Sequence, residues 1–488
     1  MKAFRIALFS DCTSQLLVRE LRLQAPNYFD AIDIQEYPFT SPLAVQEDLK
    51  HYNPDAVVLW NCSEMMSEKQ PEPLDPILAL PYTFLVYTMV SRDDGAFGSS
   101  ALSSTQSLRK RILQWNLDLL QLATVFKNLY IVDLDLLQSR LGRAQTFDAR
   151  LWETAKLALS PTATSYIATD TLSLLSALNG RVNKVLVTDL DNTFWGGITG
   201  EGGADSVNPD APGHRAYRRW LQQLASRGIL LAIASHNDYS TVESLFNTYH
   251  LEFRLSDFQA CEINWDPKAE MLKRIAAKLH IHLDSIVFID DRREQREAVR
   301  EALPQVTVPE LPTDPALWME YLSQAHLFET PRITTDDLLR IKTFQSDVTR
   351  AEFAQTLSRD EYIRSLQQEL IAEPLNENNC ERAAQLTQRC NRFNMRGTRH
   401  TAAELLNRKG WVYALRDRFG DLGIVSAVIL DGNTIETWVM SCRVFNRDVE
   451  IMILNHLKSI APIRGEYCPT DRNIMCRNIY QANGIPLP

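Results

Sequence analysis

Few features of this 488-residue chain point to a membrane, a nucleic acid or a disulfide framework. No apolar run approaches the roughly 20 residues that a membrane-spanning helix needs, and mean hydropathy is −0.22. The opening MKAFRIALFSDCTSQLL turns polar after one short run and lacks the long apolar stretch and cleavage site of a signal peptide. The expectation is a soluble, cytoplasmic protein without a membrane partner. The 51 Lys and Arg are outnumbered by 61 Asp and Glu, for a net charge of −10. That balance speaks against a nucleic-acid partner, which would call for a basic stripe. The eight cysteines (12, 62, 261, 380, 390, 442, 468, 476) form no C-x-x-C pair and no regular metal-ligand spacing. In a chain of this length they read as free thiols.

What is present is too much for one core: the length suggests three domains of about 150 residues. FRIALFS, DAVVLW and LYIVDLD are short apolar runs, with helical spacing between them in SLRKRILQWNLDLLQLATVF. Strands alternating with helices imply a parallel sheet with crossover helices. The pattern restarts at KVLVTDLDNTFWGG and continues through GILLAIASHND, DSIVFIDD and VTVPEL. A linker is expected at PRITTDD (331–337), then a charged helical stretch to about residue 370. GWVYALRDRFGDLGIVSAVILDGNTIETWVMSCRV reads as three strands with turns at Gly420–Gly423 and Asp431–Gly432–Asn433, and DVEIMILNHLKSI as a helix. The fold expectation is two α/β domains, 1–178 and 179–333, and an α+β domain, 334–488.

The chemistry concentrates in the second of these. A strand delivers Asp189 and Asp191, with Thr193 two residues further. Carboxylates so close repel, which makes sense when a cation or phosphate chemistry uses them. One attacks phosphorus and the other handles the leaving group's proton. LLAIAS ends at Ser235, a hydroxyl able to hold a phosphoryl oxygen. NWDPKAEML puts Lys268 at a helix start, and VFIDD ends at Asp290 and Asp291, oxygen ligands suited to Mg²⁺.

These four pieces, in this order, resemble the haloacid-dehalogenase superfamily. DLDNTFWGG, SHND, INWDPK and the run from Asp284 to Pro315 resemble the FkbH-like proteins of polyketide biosynthesis, and RCNRFNM, DRFGDLGIVSAVIL and SCRV carry the likeness to the C-terminus. The resemblance implies an enzyme that takes the acyl group of 1,3-bisphosphoglycerate, removes its remaining phosphate and loads the glyceryl unit on an acyl carrier protein. It implies Asp189 as nucleophile, Asp191 as general acid/base, and Ser235 and Lys268 as phosphate clamps. Thr193, His236, Asn237 and Arg292 fall among the substrate-binding positions. Mg²⁺ would be held by Asp189, Asp191 through its backbone carbonyl, and Asp290 or Asp291. His236 stands where the family usually has Lys, and Arg292-Arg293 where it has Asn-Pro, departures that bear on which phosphorylated substrate is accepted.

Keeping the acyl group activated requires a thiol to attack the carbonyl. Two cysteines compete. Cys12 follows the first strand in Ser10-Asp11-Cys12-Thr13, where SGNH-type hydrolases place Gly-Asp-Ser, with Asn61 positioned to help hold an oxyanion; a helix N-terminus there would lower a thiol's pKa. Cys442, in SCRV, is the alternative, in what should be a sheet interior, and Cys62 reads as packing. The last domain resembles the GNAT fold, with Asn473 and Tyr480 fitting its closing helix. Arg443 matches the start of its pyrophosphate loop, but Asn446 and Asp448 occupy the glycine positions, which speaks against coenzyme A. A carrier-protein arm remains compatible, helped by Arg389, Arg392, Arg396 and Arg399. The main rival reading is a stand-alone Mg²⁺ phosphatase acting on a small phosphomonoester; a non-enzymatic carrier scaffold is the third.

Overall fold

The computed structural model of the protein describes residues 3–67, 71–90, 96–201, 206–249, 251–279, 281–333, 357–470 and 472–486. The chain divides into two compact units. One holds Met1–Asn179 with Asn376–Ala384 and Arg399–Arg408, and the other holds Gly180–Leu375, Gln385–Thr398 and Lys409–Pro488.

In the first unit, β1 (Phe4–Ser10), β2 (Ile32–Pro38), β3 (Ala56–Trp60), β4 (Phe84–Tyr87) and β5 (Leu129–Val132) form a parallel sheet in the order β2-β1-β3-β4-β5. Successive side chains of a strand point to opposite faces. Ile6 and Leu8 therefore pack on Leu17 and Leu21 of the helix Gln15–Gln24 and on Leu172 and Leu175 of Pro161–Leu178. Ala7 and Phe9 meet Leu49 and Leu119 on the other side. Both faces are covered, as a parallel sheet requires. Ser160 caps the last helix, its Oγ accepting from the Ala163 N–H at 3.1 Å with Pro161 in the first turn.

The second unit contains two sheets with separate cores. β6 (Val185–Thr188), β7 (Leu230–Ser235), β8 (Ala260–Ile263) and β9 (Ile286–Ile289) run parallel in the order β8-β7-β6-β9. The buried apolar runs of β6, β7 and β9 pack between two layers of helices. The third sheet, β10-β11-β12-β13-β14, is antiparallel from β10 (Glu369–Pro374) through β11 (Lys409–Asp417) and β12 (Gly420–Asp431) to β13 (Thr434–Met440), with β14 (Arg464–Gly465) parallel on the edge. The helix Val449–Ile460 lays Val449, Ile453, Leu454 and Leu457 on it, beside Trp438 and Tyr480.

Several elements differ from the sequence reading. β2, β4, β8 and β10 were not expected, and VTVPEL contributes a single bridge, Val287 to Thr307, instead of a strand. The turn expected at Gly420–Gly423 comes earlier, because β11 ends at Asp417 and β12 starts at Gly420. The glycines instead sit in β12 opposite irregular pairing around Ala414, with Gly423 at φ 65°. Cys442 lies in the short turn Cys442–Val444 beyond β13, not in the sheet interior. The charged helical stretch expected after PRITTDD lies outside the described residues as far as 356, after which Arg359–Ser365 is helical.

Candidate active site

Three parallel strands of the second unit end side by side and deliver the chemistry. β6 runs into Asp189, β9 into Asp290 and Asp291, and β7 ends on Ser235. Crevices beyond the carboxyl ends of such strands are where open α/β sheets build sites. Asp189, Asp290 and Asp291 bring carboxylate oxygens within 4.8 Å of one another. Lys268, the first residue of the helix Lys268–Lys278, is 3% exposed and donates to Asp189 Oδ1 at 2.5 Å and to the Ala234 carbonyl at 2.5 Å. Its Nζ is also 3.4 Å from Asp290 Oδ2.

One ammonium does not balance three carboxylates. Burial and the Asp189 charge push Asp290 up to about 7, and the same two causes push Asp291 up to about 6. Asp290 Oδ2 is buried and accepts no hydrogen bond. A buried oxygen left so, in an all-oxygen cluster, fits a hard divalent cation.

The Asp191 carboxylate is not in that cluster. It accepts from Trp195 Nε1 at 3.0 Å and Thr199 Oγ1 at 2.5 Å, and Oδ2 accepts from the Thr199 N–H at 3.1 Å. All these donors belong to the segment after β6. That segment turns back because Asn192 sits at φ 50° and takes the Gly197 N–H on its side chain. Gly197, at φ 97°, has no room for a Cβ, which would fall 2.1 Å from the Ser206 carbonyl oxygen.

The remaining expected residues are distributed as follows. Thr193, placed among the substrate-binding positions, is fully buried. Its hydroxyl donates to Asp291 Oδ1 at 3.2 Å and accepts the Asp291 N–H at 3.0 Å, so it locks the two acidic loops together. Asn237 donates to Ser235 Oγ at 3.1 Å, fixing that hydroxyl. His236 has Nε2 2.8 Å from the Asp266 carbonyl and stacks on Trp265. The Arg292 N–H donates to Asp290 Oδ1 at 2.9 Å, while its guanidinium pairs with Glu294 and that of Arg293 with Glu297, both on the exposed surface. Arg293 and Asp291 line one cavity of about 680 Å³ together with Asn192, His214, Thr313 and Trp318.

Arg296 was missed in the sequence. It is 4% exposed and donates to the carbonyls of Asp290 at 2.9 Å and Asp291 at 2.7 Å, holding the acidic turn from beneath. In RREQR nothing marks it apart from its neighbours except its place on the inward side of the helix Arg293–Ala302.

In the first unit, Asn61 lines a cavity of about 190 Å³ at the ends of β1 and β3, with Ser10, Asp11, Thr40, Ser41 and Glu72. Cys12 does not line it. Cys12 is 0% exposed and turns to the opposite face, into the cluster of Leu8, Leu17 and Trp60. In the last sheet, Asn446 (φ 62°) and Asp448 (φ 58°) keep the left-handed backbone that glycines would adopt, and the Asp448 carboxylate bonds to Arg359. Asn473 is fully buried and ties the Asn394 and Cys468 carbonyls at 2.8 and 2.9 Å.

Residues 79–176 match the family model described as "FkbH, N-terminal domain". Among solved structures, the chain is similar to the N-terminal part of the protein BF1531 from Bacteroides fragilis, containing a phosphatase domain complexed with Mg. Identity is 26%, covering 68% of this chain and 95% of that one, with a TM-score of 0.61. An S. aureus MnaA–UDP structure (7% identity, 73% and 99% covered, TM-score 0.16) and a fungal GCN5-related glucosamine N-acetyltransferase region (10%, 96% and 60%, 0.15) are too dissimilar to carry an argument. No curated protein matches.

Proposed function

We propose that this FkbH-like chain, whose phosphatase domain is of the haloacid-dehalogenase type, is a Mg²⁺-dependent enzyme that strips the phosphate from a small acyl unit and loads that unit on an acyl carrier protein. The observation that carries the phosphatase half is the arrangement of Asp189, Asp290 and Asp291 at two adjacent strand ends around Lys268, which starts the helix Lys268–Lys278. Asp189 attacks phosphorus, forming an acyl phosphate on its own carboxylate, while Asp191 gives its proton to the leaving oxygen. Asp191 then takes a proton from the water that hydrolyses the aspartyl phosphate. Lys268 and the Asn237-fixed Ser235 hydroxyl are placed to hold phosphoryl oxygens. Mg²⁺ would be held by Asp189, Asp290 and Asp291, with the Asp191 carbonyl as the resemblance implies, and would supply charge neutralisation.

The loading half is supported by the FkbH likeness of the first unit. With 1,3-bisphosphoglycerate, the Cys12 thiolate attacks the acyl carbon; a C–S bond forms, the C–O bond to phosphate breaks, and inorganic phosphate leaves. Asp189 then removes the distal phosphate, and the pantetheine thiol of the carrier takes the glyceryl group by thioester exchange. The complete burial of Cys12 favours a second reading, a phosphatase of small phosphomonoesters with no acyl step.

Incubating the chain with a bisphosphoglycerate source, Mg²⁺ and carrier protein, then reading intact masses, separates the two. A glyceryl mass on the carrier is the expected result. Phosphate release with an unmodified carrier would leave the phosphatase reading alone standing.

A further inference from the structure

The parallel register of β1 and β3 pairs each residue with one fifty positions on, from Ile6 with Ala56 to Ser10 with Trp60. The Asp11 N–H continues the ladder to the Trp60 carbonyl at 3.3 Å. The next step in that register brings Cys12 beside Cys62, two residues that no sequence spacing connects. Both are buried, at 0% and 3% exposure, and their sulfurs and a carboxylate oxygen of Asp11 all lie within 4.8 Å of one another. Asp11 Oδ1 accepts the Cys62 N–H at 2.8 Å, so the carboxylate is aimed at this corner by the backbone. Glu64, 1% exposed, adds a further carboxylate nearby, with Arg143 4.0 Å from it. Acidic groups crowd this corner as they do the phosphatase site, but here two of the donors are sulfur.

We propose that Asp11, Cys12 and Cys62 form a binding site for one soft divalent cation of the zinc type. Two thiolates and a carboxylate supply three ligands and leave a fourth position for a small ligand such as water. Donor softness sorts the two sites of the chain: the all-oxygen cluster at Asp189 suits Mg²⁺, and the sulfur-rich corner suits zinc. On binding, two S–H bonds break, two metal–sulfur bonds form, and both protons pass to the buffer. The inference does not rest on the acyl-transfer reading but deepens it, because a metal-held Cys12 is a thiolate, the form that attack on an acyl phosphate requires.

The test uses the full chain, reduced and stripped of metal, titrated with Co²⁺ in the presence of Mg²⁺. One equivalent should raise the near-ultraviolet charge-transfer band that thiolate ligation produces, and Cys12→Ser and Cys62→Ser should each lose it. Should either variant misfold, X-ray absorption at the zinc edge of the wild-type chain decides. The expected shell has two sulfurs at about 2.3 Å and lighter ligands at about 2.0 Å. No thiolate band in the wild type, a band that survives in the double variant, or an oxygen-only shell would overturn the assignment. Neither measurement involves a carrier or an acyl substrate, so its failure is distinct from failure of the proposed function.

Discussion

A single buried carboxyl, Asp290, links the phosphatase site to a measurable pH dependence. In the metal-free chain burial and the Asp189 charge push it up to about 7 and Asp291 up to about 6, from an ordinary 3.8. Both folded values are raised, so between 3.8 and those values the native state binds more protons than the unfolded chain. Stability of the metal-free protein therefore falls as pH rises through that window. Mg²⁺ reverses the effect, because it binds the deprotonated groups. The rise in Tm on adding Mg²⁺ is expected to be small near pH 5 and large near pH 8. Equal shifts at both would mean that these carboxylates are not where the ion sits.

Much of this site could be read at residue scale from the sequence. Asp189, Asp191, Ser235, Lys268, Asp290 and Asp291 each stand at the end of an apolar run or the start of a helix, and such positions survive without knowledge of the fold. The arrangement of partners did not survive so well. Thr193 stood out beside Asp189 and Asp191, but its contact with Asp291, 98 positions away, did not, and no local pattern separates Arg296, which acts 5 to 6 positions away, from a surface Arg. The Cys12–Cys62 neighbourhood was invisible for the same reason, because it exists only through the register of two strands.

At the scale of elements, the segment 189–199 after β6 holds Asp191 through Trp195 and Thr199 and turns on Gly197. Gly197→Ala forces either a strained left-handed alanine or a shift of the Ser206 carbonyl, at a cost of about 1–3 kcal/mol. It should lower kcat by a larger factor than it raises the Mg²⁺ concentration for half-maximal activity, since Asp189, Asp290 and Asp291 lie on other contacts. Thermal melting and a Mg²⁺ titration of the rate check this; an unaltered kcat would show that Asp191 does not depend on the segment. β2 and β10 are edge strands, partly exposed, and carry polar or charged residues such as Asp33, Glu36, Glu369 and Glu373, so no apolar run announces them. β8 carries half-buried Cys261 and Glu262 and likewise lacks an apolar run, whereas β4, FLVY, is an apolar run as short as β5, β6 and β9 with no polar motif at its end to mark it.

Across the whole molecule, the two proposed chemistries stand on different sheets in different compact units. Cys12→Ala should therefore abolish carrier loading and leave hydrolysis of a generic phosphomonoester unchanged, with intact mass reporting the first and phosphate release the second. Loading that survives would move the acyl thiol elsewhere, with Cys442, half-buried in the turn after β13, as the other candidate. Among the described residues no helix is long and apolar enough to cross a membrane, in keeping with the absence of long apolar runs in the sequence.

Asp189→Asn provides the most direct test of the central claim. The amide fills the same space and keeps an oxygen for Lys268, but it cannot attack phosphorus. Phosphate release from p-nitrophenyl phosphate should be measured with Mg²⁺ and with excess chelator, in wild type and variant, with a melting curve to confirm folding. The account predicts Mg²⁺-dependent release in the wild type, lost in chelator, and release at the uncatalysed background in a folded Asp189→Asn. Release close to wild type in the folded variant would contradict it.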